Sequence, residues 1–414
     1  MKLLVWSQYF WPENFRINEL VTGLVQSGLS VTVLTGKPNY PEGRFYPGYR
    51  ARGLSQEAFQ GAEVVRVPML PRGSDSALRL VLNYLSFIFS GYFFAPWVLR
   101  NRPFDAVFVY APSPLLQALP AILLARLNRV PLIVWVQDLW PEALSATGYV
   151  RNRGLLRIVE MMVRYVYRHA DSILIQSEAF RAPIARLIAG EEKIRFFPNS
   201  ADLPNTVAQA SESAQRLAEE MKECFAIVFA GNIGQAQSMG TLVEAAECLR
   251  EHRDLKFYLV GTGSQADQVA AEVRRRKLDN LLLVGRFPVE DMPVLFDAAS
   301  VLLVMLGDDS VGNYTIPSKL QAYLVSGRPV IGCINGEGAH VINESGAGVS
   351  CPAGDSEALA KGVLKLYEMS PDARKKLGQN GFHYFMEHYE AKRLTGELIA
   401  HLEDCLSNRK KERK

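Results

Sequence analysis

The sequence predicts an α/β protein of two Rossmann-like, doubly wound domains. Short apolar runs rich in Val and Ile alternate with helix-like stretches, the pattern of βαβ units around a parallel sheet buried on both faces. The alternation breaks once, where Pro198 and Pro204 bracket several turn formers, and then restarts. At 414 residues the chain is also too long for one ordinary core.

In the first half the candidate strands are 2–6, 31–35, 63–67, 105–109, 132–136 and 172–175, with helical patterns at 18–26, 115–127 and 155–168. The second half repeats the theme with strands at 226–229, 256–260, 281–284, 301–305 and 329–331. Its helices are expected at 241–250, 265–276, 317–325 and 356–367, and 372–406 reads as helical throughout. The expected organisation is a domain over 1–197, a linker over 198–206, a second domain over 207–385, and a C-terminal helix with a basic tail over 386–414.

Composition excludes several classes. With 48% hydrophobic and 21% charged residues the chain is neither disordered nor fibrous. A formal net charge of +3 provides no strongly basic stripe and argues against a nucleic-acid partner. The cysteines, Cys224, Cys248, Cys333, Cys351 and Cys405, are odd in number and form no CxxC pair. A disulfide framework or zinc ribbon is therefore not expected, and a reducing cytosol suits them. Lys2 runs straight into a short apolar strand, so no signal peptide is expected. Histidine is absent before His169, and His383 and His388 are five apart, so neither a Ser-His-Asp triad nor a metal site is expected.

Residues 80–99 carry no charge and are rich in Leu, Phe and Tyr. That length can cross a bilayer, but Asn83, Ser86, Ser90, Gly91 and Pro96 interrupt it. The readings are a core helix, a span, or a helix that dips into one leaflet. Trp97, Arg100 and Arg102 at its end suit a membrane–water boundary. Five of the last seven residues, 408–414, are basic; they form either a solvated end or an attraction to anionic lipid.

In doubly wound sheets, ligands bind beyond the carboxyl ends of the strands. After the first strand, Arg16 in an aromatic loop could meet a phosphate or stay solvated. After strand 132–136, Asp138 could orient a substrate hydroxyl or cap a helix, with Trp140 and Glu142 beside it. Gly231, Asn232 and Gly234 follow the first strand of the second half, where glycine lets a backbone approach a diphosphate. Gly261, Gly263 and Ala266 formally match the dinucleotide fingerprint, which leaves a dehydrogenase open, although a short glycine turn explains them more simply. At 317–320, Pro317 reads as the first helical residue and Ser318 and Lys319 as its first turn. A lysine there opposes the helix dipole and calls for an anion.

Several motifs together resemble the GT-B glycosyltransferases of family four over nearly the whole chain, with a look of the bacterial O-antigen, N-acetyl-L-fucosaminyl and colanic-acid groups. The motifs are Tyr9-Phe-Trp-Pro-Glu13, Thr35-Gly-Lys-Pro-Asn-Tyr-Pro-Glu-Gly43, Val136-Gln-Asp-Leu-Trp-Pro-Glu142, Phe229-Ala-Gly-Asn-Ile-Gly234, and Pro317-Ser-Lys-Leu320 running to Gly327-Arg-Pro-Val330. The resemblance implies two Rossmann-like domains facing across a cleft, the second holding the donor and the first the acceptor. It implies retaining transfer without metal or cofactor from a nucleotide sugar, UDP-activated and of the N-acetyl-L-fucosamine kind, to a lipid-linked glycan. It places the enzyme in the cytoplasm, peripherally on the inner face of the membrane. Gly231, Asn232 and Gly234 would approach the diphosphate or sugar. Lys319, with the amides of Ser318 and Leu320, would stabilise the leaving diphosphate. Arg286 would lie near the nucleoside, and Asp138 and Trp140 would face the reaction centre.

The chain departs from that family at informative places. Tyr314 and Ala322 stand where two glutamates are usual, Asn232 and Ser238 where an Arg and a Lys are, and Gln137 where a His is. Diphosphate recognition is then expected to use other contacts. A nucleotide-sugar 2-epimerase and a non-catalytic UDP-binding scaffold are the alternative readings.

Overall fold

The computed structural model describes residues 1–73, 76–142, 144, 152–201, 203, 210–308 and 312–411. The chain divides into two compact units, residues 1–200 joined by the chain from Ala391 onward, and residues 201–390.

The first unit carries β1 (Lys2–Trp6), α1 (Arg16–Gln26), β2 (Ser30–Thr35), β3 (Ser55–Phe59), β4 (Ala62–Arg66), α2 (Ala77–Val98), β5 (Ala106–Ala111), α3 (Ala118–Asn128), β6 (Leu132–Val136), α4 (Arg153–His169), β7 (Ser172–Ile175), α5 (Arg181–Ile188) and β8 (Ile194–Phe196). The sheet order is β3-β4-β2-β1-β5-β6-β7-β8, and the order reverses direction between β1 and β5. β1, β5, β6 and β7 are buried almost throughout, as their Val/Ile runs require. Among the described residues β3 is the one antiparallel strand of this sheet. Its sequence, Ser-Gln-Glu-Ala-Phe, has no apolar run, so hydrophobic pattern alone does not reveal it. Gln60 and Gly61, at φ +49° and +89°, make the tight turn that folds β3 onto β4.

The second unit carries α6 (Glu212–Lys222), β9 (Phe225–Ala230), α7 (Met239–Cys248), β10 (Leu255–Val260), α8 (Ala266–Arg276), β11 (Leu281–Gly285), α9 (Met292–Ala298), β12 (Val301–Met305), α10 (Ser318–Val325), β13 (Val330–Cys333), α11 (Gly336–Ser345), β14 (Gly348–Cys351), α12 (Ser356–Tyr367) and α13 (Pro371–His388). Its sheet is wholly parallel in the order β11-β10-β9-β12-β13-β14, the Rossmann arrangement, with its switch point between β9 and β12.

The stretch expected to be one helix over 372–406 is two. It breaks at Tyr389–Glu390, where the Tyr389 carbonyl accepts the Ala201 amide at 3.0 Å. The helix beyond the break, α14 (Ala391–Lys411), belongs to the first unit, so the segment expected as a C-terminal appendage over 386–414 is shared between the units. Leu394, Leu398 and Leu402 of α14 are buried with Leu20, Val21 and Leu24 of α1. Gly23 permits the close approach: a Cβ there would stand 2.9 Å from Thr395 Oγ1. Arg409, part of the expected basic tail, is ion-paired to Asp171 at 2.6 Å; 412–414 lie outside the described residues, as do 202 and 204–206 of the expected linker.

α2 is neither a fully buried core helix nor a free one. Asn83, Phe87, Ile88, Gly91, Ala95 and Val98 face inward, and Gly91 has no room for a side chain because Trp6 and Pro120 lie 2.8–2.9 Å from where a Cβ would be. The opposite face is apolar and exposed, with Phe93 at 77% and Leu78 at 68%. By length and composition the helix is long and apolar enough to cross a membrane.

Candidate functional site

At the switch point of the second sheet the chain leaves β9 through Gly231, at φ +142°, and leaves β10 through Gly261, at φ +151°. Both conformations favour glycine. A Cβ on Gly261 would lie 1.9 Å from the Gly231 carbonyl oxygen, and one on Gly263 would lie 2.4 Å from that of Ile233. The two loops thus pack backbone to backbone, joined by Gly231 N–H to Val260 O at 2.9 Å and Ile233 N–H to Thr262 O at 3.0 Å. The glycines that match a dinucleotide fingerprint serve this packing.

The result is a cavity of about 710 Å³, lined among others by Gly231, Asn232, Thr262, Arg286, Phe287, Met292, Lys319, Ala322 and Tyr323. Lys319 and Tyr323 are four apart on α10 and share a face. Tyr323 ties α10 to the end of β9: its hydroxyl accepts from the Ala230 amide at 2.8 Å and donates to the Ala230 carbonyl at 3.3 Å. One turn earlier, the Lys319 ammonium lies 3.9 Å from the centre of the Phe229 ring. A Cβ on Gly231 would come within 3.1 Å of Nζ. Among the described residues no group accepts a hydrogen bond from this buried ammonium. Burial lowers it to about 8. A cation at a helix amino end has no compensation from the dipole, so the geometry favours an anion in the cavity.

Gly231, Asn232, Arg286 and Lys319 therefore meet at one site. Four other expected donor contacts do not line the cavity. Gly234 is buried and its amide donates to Gln237 Oε1 at 3.2 Å. Pro317 is the residue before the helix rather than its first, Ser318 is exposed, and Leu320 is fully buried with its amide bonded to the Pro317 carbonyl at 2.9 Å. Of the positions where family glutamates are usual, Tyr314 lies in a 3-10 turn and Ala322 lines the cavity; 309–311 are outside the described residues.

In the first unit, Asp138 follows β6 and is half-buried. Its Oδ2 accepts from the amide and the hydroxyl of Ser113 at 3.1 and 2.7 Å, which links the loops after β5 and β6. Among the described residues it caps no helix. Trp140 is 6% exposed and its indole N–H donates to Ser113 Oγ at 3.0 Å, so its ring is packing that supports Asp138 rather than an open sugar platform. Glu142 is exposed. Arg16 begins α1 and pairs with Glu19 at 3.0 Å on a part-exposed face. Gln137, at the position where a His is usual, is buried and its carbonyl accepts from Gln176.

Sequence reasoning missed Glu13 and Asn39 as organisers of this edge. Glu13 is 1% exposed; Oε1 accepts the amides of Asn39 and Tyr40 at 2.7 and 2.8 Å and Oε2 that of Phe10 at 3.2 Å. Burial pushes its carboxyl up to about 7, against those amides, which favour the charge. Both residues lie inside quoted motifs, and the signal that could have found them is a carboxylate and an amide placed among apolar neighbours.

Two Rossmann units, the second with a lysine that has no acceptor among the described residues over a glycine-floored cavity at its switch point, make a site suited to an anionic ligand. The family described as Glycosyl transferase 4-like domain matches residues 14–200, and that described as Glycosyl transferases group 1 matches residues 224–369. The colanic acid biosynthesis glycosyl transferase WcaI of Escherichia coli is 28% identical over 350 residues, covering 80% of this chain and 83% of that one. The glycosyltransferase WbjE of Pseudomonas aeruginosa is 22% identical, covering 72% and 75%. Anabaena Alr3699/HepE in complex with UDP superposes with a TM-score of 0.67 at 14% identity, covering 98% of this chain and 100% of that one, a likeness of fold. The chain belongs to the GT-B glycosyltransferases of family four, and it is a transferase.

Proposed function

We propose that this enzyme transfers a sugar from a UDP-sugar, with retention and without a metal, to a lipid-linked glycan during surface polysaccharide synthesis at the cytoplasmic face of a membrane. The observation that carries the donor half is Lys319, a buried ammonium with no protein acceptor among the described residues, beside a backbone made of glycine. A leaving diphosphate supplies the missing anion, and charge developing there is stabilised in a site of low dielectric. Arg286 at the rim of the same cavity suits the nucleoside end. Asp138, held by Ser113, is the residue best placed on the first unit to orient an acceptor hydroxyl. UDP accords with the ligand of the HepE structure, and polysaccharide with the role named for WcaI.

The lipid half rests on surface chemistry. The exposed apolar face of α2 continues on α4, where Ile158 and Met161 are 48% and 61% exposed, and α3 packs against both helices. Arg153, Arg157 and Arg168 border that face and suit anionic headgroups. The test is mass spectrometry after incubation with lipid-linked sugars and a panel of UDP-sugars, no metal added. A lipid product heavier by one sugar is expected. An isomerised nucleotide sugar with no lipid product would replace this reading with an epimerase, and UDP binding with no turnover of any donor would replace it with a scaffold.

A further inference from the structure

The loop between β4 and α2 holds an arginine that no part of the donor chemistry uses. Arg72 is half-buried at the carboxyl edge of the first sheet, and the Thr35–Gly43 motif fixes its backbone. Its amide donates to Asn39 Oδ1 at 2.9 Å, and the next amide, of Gly73, donates to the Gly43 carbonyl at 2.8 Å. Gly43 and Gly73 have φ of +72° and +71°, and a Cβ on Gly43 would stand 2.3 Å from the Gly73 backbone, so the two loops are locked face to face. Asn39 is itself held by Glu13. The Arg72 guanidinium lies 5.3 Å from the centre of the Tyr40 ring.

Beside it are two phenols. Tyr9 is 2% exposed, and its hydroxyl lies beside the Arg72 guanidinium and the Tyr84 phenol. Tyr84, on the first turns of α2, is the neighbour of both Tyr9 and Arg72, with Asp138 also in range. A guanidinium stacked on a ring, with phenol donors around it, matches the oxygens of a phosphate. Gly73 packs on Arg79, so the apolar helix starts at this point.

We propose that Arg72, with Tyr9 and Tyr84, binds the phosphate or diphosphate that joins the acceptor glycan to its lipid, while the lipid follows the exposed strip of α2. The inference rests on the lipid-linked acceptor proposed above. It places the acceptor phosphate on the Arg72 side of Tyr84 and the reacting hydroxyl on the Asp138 side.

The experiment is vesicle co-sedimentation of the full chain and of Arg72→Ala, Arg72→Lys and Tyr9→Phe. One vesicle is phosphatidylcholine with undecaprenyl diphosphate, the other phosphatidylcholine with phosphatidylglycerol at equal surface charge. The wild type is expected to prefer the first. Arg72→Ala is expected to lose that preference by at least about tenfold, Arg72→Lys to keep part of it, and UDP affinity and melting temperature to stay unchanged. Equal binding of the first vesicle by Arg72→Ala and wild type would sink the Arg72 site and leave the acceptor reading standing. No preference in the wild type would remove the acceptor reading and this one with it. Arg72-dependent binding of free inorganic pyrophosphate as tight as that of the lipid would overturn the lipid as its source.

Discussion

At the carboxyl edge of the second sheet, side chains have been removed. Gly231, Gly261 and Gly263 bring two loops together through their backbones, and Lys319, with Arg286 at the same cavity, supplies the charge. At the carboxyl edge of the first sheet, side chains have been added. Glu13, Asn39, Gln8, Asn83 and Gln117 are all buried there, and their hydrogen bonds hold the loops. The same doubly wound core order thus supports two kinds of edge. A bare backbone suits a ligand whose charge is its main feature, such as a diphosphate. A built network suits a ligand that must be oriented hydroxyl by hydroxyl.

The largest effect should come from the buried charge of the bare edge. Lys319→Ala is expected to lower turnover about 10²–10³-fold, as loss of a group that stabilises developing charge does, with the melting temperature little changed. Near wild-type turnover would end the assignment. The pH dependence sharpens it. Lys319 titrates at about 8 in the free protein, and the protonated form is the useful one. Thus kcat/KM should fall as pH rises through about 8. A bound diphosphate favours the ammonium, so the matching limb of kcat should lie at higher pH, and Lys319→Ala should lack both limbs.

Next in size is Gly261→Ala. Its φ of +151° and the carbonyl 1.9 Å from the new methyl leave no position for it. A loss of about 3 kcal/mol from the second unit is expected. Calorimetry should show this transition lowered and UDP affinity reduced. Gly231→Ala makes the instructive contrast: it shares the backbone strain, at φ +142°, but its Cβ would meet the movable end of Lys319 rather than backbone. Unchanged stability in Gly261→Ala would show that the two loops are not locked.

On the built edge, Glu13→Gln should cost the first unit about 2 kcal/mol. A carboxamide has one oxygen where three amides need acceptors, and its NH₂ would confront a backbone N–H. UDP affinity, a property of the bare edge, should not change. A parallel loss of UDP affinity would contradict the division of roles.

The contrast between edges also explains what the sequence revealed. Strands buried on both faces must be apolar runs, so β1, β6 and β12 are visible as such. β14, four residues long and mostly half-buried, and β3, polar and on the sheet's rim, have no such constraint. The bare edge was legible because glycines after strands and a lysine at a helix start are local signals. The built edge was not. Arg72 gains meaning only from Asn39 and Gly43, about thirty residues earlier, and Glu13 takes its organising role from the amides of Asn39 and Tyr40, equally remote in the chain. Gly234 and Leu320 misled for the converse reason: their amides are in the expected stretch but already bonded.

The smallest effect separates support from chemistry on the built edge. Trp140→Phe removes the donor to Ser113 Oγ at 3.0 Å and keeps most of the buried ring. One neutral hydrogen bond is worth about 1 kcal/mol, so the first unit should melt a few degrees lower. Ser113 still gives Asp138 two hydrogen bonds, from its amide and its hydroxyl. The carboxylate then keeps its place, and turnover should fall by less than about threefold, the kinetic equivalent of well under 1 kcal/mol. A tenfold loss of kcat with KM unchanged would mean that the indole acts on the reacting sugar, and Trp140 would move from the supporting set to the reaction centre.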